Sequence, residues 1–229
     1  MNDALIRTFN IWKVYQVGKV MYPALRDISL EVEKGEFLCV VGPSGCGKTT
    51  LLNILGALDR PTKGDIFFEN ISLNKLSDDK LAEFRNKRIG FVFQTFNLIA
   101  HLTAMENVEL PMMVLGVPPR ERKKRAIEIL SRFLPESSFF KRPTELSSGE
   151  QQRVAIARAL ANNPDVILAD EPTGNLDSAN KHQVVNIFRE FREEEGKTIV
   201  MVTHDLEMTK YADRIVKLRD GQISEIIGR

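Results

Sequence analysis

The sequence predicts an α/β fold in which a parallel sheet is built around a phosphate-binding loop. Three observations carry this reading. Four short runs, at 37–41, 89–93, 166–169 and 198–203, are almost wholly apolar, as strands covered on both faces must be. Each run stops at a group able to do chemistry: a glycine-rich loop, Gln94, Asp170-Glu171 and His204 in turn. The loop after the first run, Gly42-Pro43-Ser44-Gly45-Cys46-Gly47-Lys48-Thr49, fills every fixed position of the pattern G-x-x-x-x-G-K-[ST]. Ligands of open α/β sheets gather at the carboxyl ends of the strands, so all four ends are predicted to serve one site.

The elements follow in chain order. β-rich segments at 6–15, 25–32 and 65–73, punctuated by Gly18, Pro23, Lys34-Gly35 and Thr62-Lys63-Gly64, predict a small, mainly antiparallel sheet. The three loop glycines let the backbone curl until successive N–H groups face an anion. Lys48 adds positive charge for the β- and γ-phosphates, and the Thr49 hydroxyl suits Mg²⁺. A helix from near Lys48 through Thr50 to Leu55 aims its positive end at the same place. The chain is therefore expected to bind a nucleoside triphosphate.

From about Gln94 to Arg153 the character becomes helical, Met-rich and Pro-punctuated. Ala126, Ile127, Leu130, Phe133 and Leu134 recur at helical spacing within 120–134, and the basic residues beside them read as a solvated face. After Val154 strand–helix alternation returns. The expected organisation is one domain, 1–229, in which 1–93 with 154–229 form the core and β-subdomain and 94–153 a helical insert.

At the third strand end, Pro172 stops an apolar run that has delivered two adjacent carboxylates. Asp170 suits Mg²⁺, and Glu171 can polarise an attacking water. His204 can hydrogen-bond a γ-phosphate and hold that water in line. Gln94 is neutral with both donor and acceptor atoms, so it can touch metal or water without taking the proton. Ser147 with Glu150 forms S-x-x-E, the capping box of a helix over 146–160, and Gly149 leaves backbone room at its positive end. The residues alone leave open whether this end is only capped or also binds an anion.

Composition narrows the class. With 229 residues, 43% hydrophobic and 28% charged, the chain can bury a proper core. A net charge of +1 gives no global field for nucleic acid. The two cysteines, Cys39 and Cys46, read as strand and loop residues in a reducing cytoplasm, with neither a disulfide nor a metal between them. The first residues show no secretory signal, and no apolar stretch is long enough to span a bilayer, so a membrane role would need another polypeptide.

Taken together, the motifs resemble the nucleotide-binding subunit of ABC transporters over nearly the full length. GPSGCGKT looks like Walker A, Gln94 like the Q-loop and LSSGE like the LSGGQ signature. VILADE looks like Walker B with its catalytic glutamate, Asn175-Leu176-Asp177 like the D-loop, His204 like the switch histidine and Tyr15 like the adenine-stacking aromatic. QTFNLIAHLTAMENVELPM and DEPTGNLDS are most similar to the lipoprotein-releasing and macrolide-exporter (LolD- and MacB-like) group. The resemblance implies a P-loop NTPase core of RecA-like type, ATP and Mg²⁺ as ligands, and a catalytic set of Glu171, His204 and Gln94. It implies a head-to-tail homodimer that takes Gly42 to Thr50 from one chain and Ser147, Gly149 and Glu150 from the other. An integral membrane permease would dock on the helical insert, placing the chain on the inner face of the membrane; the patch around Met105 to Val117 reads equally as part of that dock or as plain core packing.

Ser148 departs from the usual glycine of the signature and could weaken closure, whereas Glu150 is a common variant. The rivals are a small-molecule kinase, which leaves the LSSGE helix unexplained, and a DNA-organising ATPase. The latter is disfavoured because no heptad run separates Lys48 from Asp170. An ATPase controlling a membrane-bound cell-division or signalling complex (FtsE-like) is compatible with the same motifs.

Glu171→Gln is expected to preserve ATP binding and nearly abolish turnover, because an amide keeps the shape but accepts no proton. Steady-state phosphate release compared with nucleotide affinity checks this, and turnover at the native rate would remove Glu171 from its role.

Overall fold

The computed structural model describes residues 4–228. Ten strands and six α-helices follow in chain order: β1 (Ala4–Val17), β2 (Val20–Glu33), β3 (Phe37–Val41), α1 (Lys48–Leu55), β4 (Lys63–Phe68), β5 (Ile71–Ser72), α2 (Asp78–Arg88), β6 (Ile89–Val92), α3 (Ala104–Val114), α4 (Pro119–Leu130), α5 (Ser148–Leu160), β7 (Val166–Asp170), α6 (Ser178–Glu195), β8 (Thr198–Thr203), β9 (Arg214–Arg219) and β10 (Gln222–Ile227). The chain packs as two compact units, one formed by residues up to Ala82 together with Arg189 onward, the other by Glu83–Phe188.

The first unit contains two sheets. One is antiparallel, in the order β2-β1-β4-β5, and is the predicted β-subdomain. Here the strands run further than the punctuation suggests. Gly18, at φ +61°, makes the turn between β1 and β2, but Pro23 does not break β2; it lies opposite Val14 beside a register shift. β2 is an edge strand, so the missing proline N–H costs the ladder nothing on its open side. In the other sheet β3 pairs in parallel with β8 on one side and β9 on the other, and β10 returns antiparallel to β9. β3 is buried at all five positions and β8 at all six, which is why their sequences do not alternate. Leu51, Leu52, Ile54 and Leu55 bury one side of α1.

In the second unit β6 and β7 pair in parallel, from Ile89 opposite Val166 to Val92 opposite Ala169. A helical core gathers Met105, Val108, Met112, Ala126, Leu130 and Val154 from α3, α4 and α5. The predicted spacing in α4 holds: Ala126 and Leu130 are buried, with Ile127 and Phe133 packed against the same core. Pro111 lies inside α3 rather than ending it, and Gly116, at φ +75°, follows the last turn. α4 then opens on Pro119, a first-turn position where no N–H is missed.

Asn107, fully buried in α3, ties down the segment before the helix. Its Oδ1 accepts from Ile99 N at 2.8 Å, and its Nδ2 donates to the carbonyls of Thr103 at 2.9 Å and Ile99 at 3.2 Å. Asn107→Ala strands these backbone groups and is expected to cost about 2–4 kcal/mol. Urea unfolding measures it, and a loss below about 0.5 kcal/mol would show that the segment holds without the amide.

Candidate functional site

In the first unit the phosphate-binding loop and His204 leave adjacent strands at one level, because Val41 lies opposite Thr203 in the parallel ladder. Gly42, Pro43 and His204 line an open cavity of about 490 Å³ whose apolar wall includes Val41, Leu206 and Leu218. A side chain at Gly42 would collide with the Leu218 carbonyl, and one at Gly47 would lie 2.5 Å from the Ala24 carbonyl. Gly45 and Gly47 adopt φ of +78° and +105°, which residues with a Cβ disfavour.

Gly47 caps α1 without a side chain, so no cap stands between the first-turn N–H groups and an anion. Nearly buried Lys48 donates from Nζ to the carbonyls of Gly42 at 2.8 Å and Pro43 at 3.1 Å, which holds its charge beside the loop. Pro43, Ser44 and Gly45 are exposed, Thr49 is exposed on the first turn of α1 and Thr50 is half-buried beside it. Cys46 is buried, and its carbonyl accepts from Gly221 N at 3.0 Å, so it shapes the loop from behind. Curled backbone, uncapped helix end and buried cation together fit a polyphosphate.

Tyr15 lies opposite Tyr22 on the β1–β2 ladder and is held in place. Its hydroxyl donates to Asp59 Oδ2 at 2.8 Å, while Lys13 donates to Asp59 Oδ1 at 2.6 Å and to the Arg60 carbonyl at 2.8 Å. The Lys13 ammonium also stands 4.9 Å from the ring centroid, a cation–π contact. Burial and the hydrogen bond to Asp59 push the Tyr15 phenol up, so it stays neutral. Burial tends to raise the Asp59 carboxyl, but hydrogen bonds from Lys13 and Tyr15 outweigh it and hold the group below its ordinary value. Lys13 and Asp59 were not singled out from sequence; the two-residue strand period that puts Lys13 on the face of Tyr15 was the available signal.

In the second unit the register of Val92 opposite Ala169 brings out Gln94 and the Asp170-Glu171 pair from neighbouring strands. Asp170 ends β7 and is half-buried. Glu171 has φ +46°, an unfavourable value for a residue with a side chain, and its carbonyl accepts from Gly174 N at 3.0 Å to close a turn. Gln94 is exposed, yet its carbonyl accepts from Asn175 Nδ2 at 2.8 Å. A Cβ on Gly174 would lie 2.7 Å from Gln94 Nε2. Gln94 and the acidic turn are thus one assembly.

The signature segment, in the same unit, forms the predicted capping box. The Ser147 hydroxyl accepts from Glu150 N at 3.3 Å and donates to Glu150 Oε2 at 2.8 Å, while Ser147 N donates to that same oxygen at 2.9 Å. The Ser147 backbone and hydroxyl hold the Glu150 carboxyl below its ordinary value. Gly149 is buried, and a side chain there would collide with the Asn180 carboxamide, so the glycine has a packing reason of its own. Ser148 is exposed at the first position of α5 and crowds nothing within the chain. Sequence reasoning passed over Asn180, and no periodic signal marks it.

Residues 25–174 match the family described as ABC transporter. An uncharacterized ABC transporter ATP-binding protein of Thermotoga maritima is 53% identical over 95% of this chain and 92% of its own length. A dimeric post-hydrolysis structure of the ATP-binding cassette MJ0796, a protein of Methanocaldococcus jannaschii, bound to ADP and Pi, superposes with a TM-score of 0.90. It is 45% identical, with 97% of this chain and 98% of that one covered. A macrolide export ATP-binding/permease protein MacB of Syntrophobacter fumaroxidans is 48% identical over 96% of this chain, which spans 31% of that longer protein.

Tyr15→Ala is expected to weaken ATP and GTP alike, since stacking on a base tolerates its identity and contributes roughly 1–3 kcal/mol. Tyr22 and half-buried Trp12 are the neighbouring rings, and Tyr22→Ala should leave both affinities unchanged. The reverse pattern in equilibrium nucleotide titrations would assign the contact to Tyr22.

Proposed function

The chain belongs to the ABC transporter ATP-binding family, and from that premise we propose that it drives a separate membrane permease of the exporter or lipoprotein-releasing type, working as a homodimer closed around ATP. As a member of that family it binds and hydrolyses ATP. The observation that carries the finer reading is the signature helix. Its N-terminal end is exposed at Ser147 and Ser148, while Gly42, Pro43 and His204 line an open cavity beside Leu206, which is 67% exposed. The dimeric cassette bound to ADP and Pi among its relatives supports pairing, and the MacB-type relative supports export.

In this mechanism residues 42–50 wrap the triphosphate, Lys48 neutralises it, and Tyr15 stacks on the base. Thr49, Asp170 and Gln94 are the oxygen donors that would hold Mg²⁺, which would supply charge neutralisation to the triphosphate. Glu171 takes the proton of an attacking water as its oxygen bonds to the γ-phosphorus and the bond to the ADP oxygen breaks. His204 orients that water and the leaving phosphoryl group. Ser147 and Gly149 of a second copy close the far side of the γ-phosphate with helix N–H groups. Residues 94–153 act as the helical signature subdomain, and the rest as nucleotide-binding core and β-subdomain.

Among the described residues no helix is long and apolar enough to cross a membrane, and in this reading the permease supplies the membrane-spanning part. Exposed Met113 and Val114 at the end of α3 suit its docking. ATP that binds the closed pair better than the open chain must favour association, and hydrolysis drains that state. Glu171→Gln with Mg-ATP is therefore expected to accumulate a dimer in analytical ultracentrifugation. Adding Ser147→Arg should return it to monomers that still bind ATP. A Glu171→Gln chain that stays monomeric at saturating ATP would overturn pairing of the isolated chain. A double variant that still dimerises would remove the signature helix as the closing element.

A further inference from the structure

We propose that Gln152 is a positioning residue for ATP hydrolysis, through which the signature helix holds Glu171 in its working conformation; this rests on the reading of Glu171 as the base. Gln152 lies in α5 and is fully buried. Its Nε2 donates to the carbonyl of Pro172 at 2.7 Å, the residue directly after Glu171. Its Oε1 is buried too and finds no hydrogen-bond partner among the described residues. A buried amide with one atom unsatisfied is poor for stability, and an apolar side chain of the same length would avoid that desolvation. The bond to Pro172 is what the amide supplies and a hydrocarbon would not.

The turn needs such a hold. Glu171 sits at φ +46°, where a side chain is disfavoured, so its conformation persists only if its surroundings enforce it. The Pro172 ring fixes its own φ and has no N–H, leaving the carbonyl as its one backbone hydrogen-bonding group. Gln152 takes that carbonyl. Downstream, Gly174 N closes the turn on the Glu171 carbonyl at 3.0 Å, and Asn175 Nδ2 fastens the chain to the Gln94 carbonyl at 2.8 Å. The base is thereby clamped on one side by α5 and on the other by the Gln94 strand end. Because Ser147 caps the same helix, a pull on the α5 N-terminus by the nucleotide of a second copy would pass through a single hydrogen bond to Pro172, the residue next to Glu171.

The test uses the full chain with Gln152→Met and Gln152→Glu, reading kcat, KM, ATP affinity and thermal unfolding. Gln152→Met keeps the length and removes both donor and orphan acceptor. It is expected to lower kcat at least about tenfold, with ATP affinity within about twofold and the unfolding midpoint unchanged or raised. In Gln152→Glu the buried carboxyl donates to Pro172 only when protonated, so kcat relative to the native chain should rise as pH falls from about 8 to about 6. A Gln152→Met chain with native kcat, or one whose kcat falls only in step with its stability, overturns the proposal. So does a flat kcat ratio across pH for Gln152→Glu, which decides the matter if the Met variant does not fold. Glu171→Gln run alongside separates the two failures. If it turns over normally, the assignment of the base is wrong; if it is inactive while Gln152→Met is native-like, only the positioning role is lost.

Discussion

β3 is buried over its whole length, and that burial sets where chemistry is possible. A strand covered on both faces disfavours a charged side chain, so charged and reactive groups are displaced to the first residues beyond its carboxyl end. β8 and most of β7 obey the same constraint. Parallel pairing then does what an antiparallel pair would not: within each unit it brings neighbouring strand ends out together. Val41 opposite Thr203 sets Gly42 beside His204, and Val92 opposite Ala169 sets Gln94 beside Glu171. A charged residue substituted within these strands would damage the site through its desolvation cost, which loosens the sheet, rather than by touching a ligand.

Much of this was legible because the signals are steric. The phosphate loop, the apolar strands and the S-x-x-E cap all depend on local chain geometry, and β3, α1 and β8 fall at the predicted positions. What was not legible depends on partners distant in sequence. Pro23 reads as a breaker until β2 is known to be an edge strand. Pro111 reads as a break in an apolar run until α3 is seen to continue through it. The β9–β10 hairpin was not resolved as strands, because β10 is mostly exposed and carries no apolar alternation. Among site residues, Lys13, Asp59, Gln152 and Asn180 have ordinary identities, and their roles exist only through contacts many residues away.

The signature segment illustrates how a motif can have two causes at once. Ser147 and Glu150 already satisfy each other, and Gly149 is already required by Asn180. An anion arriving at this helix end must therefore compete with a negatively charged cap for the Ser147 hydroxyl proton. The competition makes a weak site in the single chain. Strength has to come from elsewhere, and the cation Lys48 and the N–H groups of a phosphate loop are the complementary half. A helix end that is capped when alone and recruited when a polyphosphate bridges two chains is suited to reversible closure. The exposed Ser148 leaves that cap intact, so any effect of its hydroxymethyl group falls on the approach of a second chain.

Strain at Glu171 gives the same logic a mechanical form. A left-handed glutamate costs of order 1–3 kcal/mol, so the turn relaxes unless held. The holds come from an α5 side chain and from the strand end bearing Gln94, the two elements that the proposed mechanism couples to nucleotide closure and to a permease. A base fixed by rigid backbone alone would be active whether or not those elements were in place. One fixed by a single amide hydrogen bond and a crowded glycine would be active only when they are. On the proposed reading of Glu171 as the base, hydrolysis in an uncoupled chain would thereby be limited by the geometry of this turn.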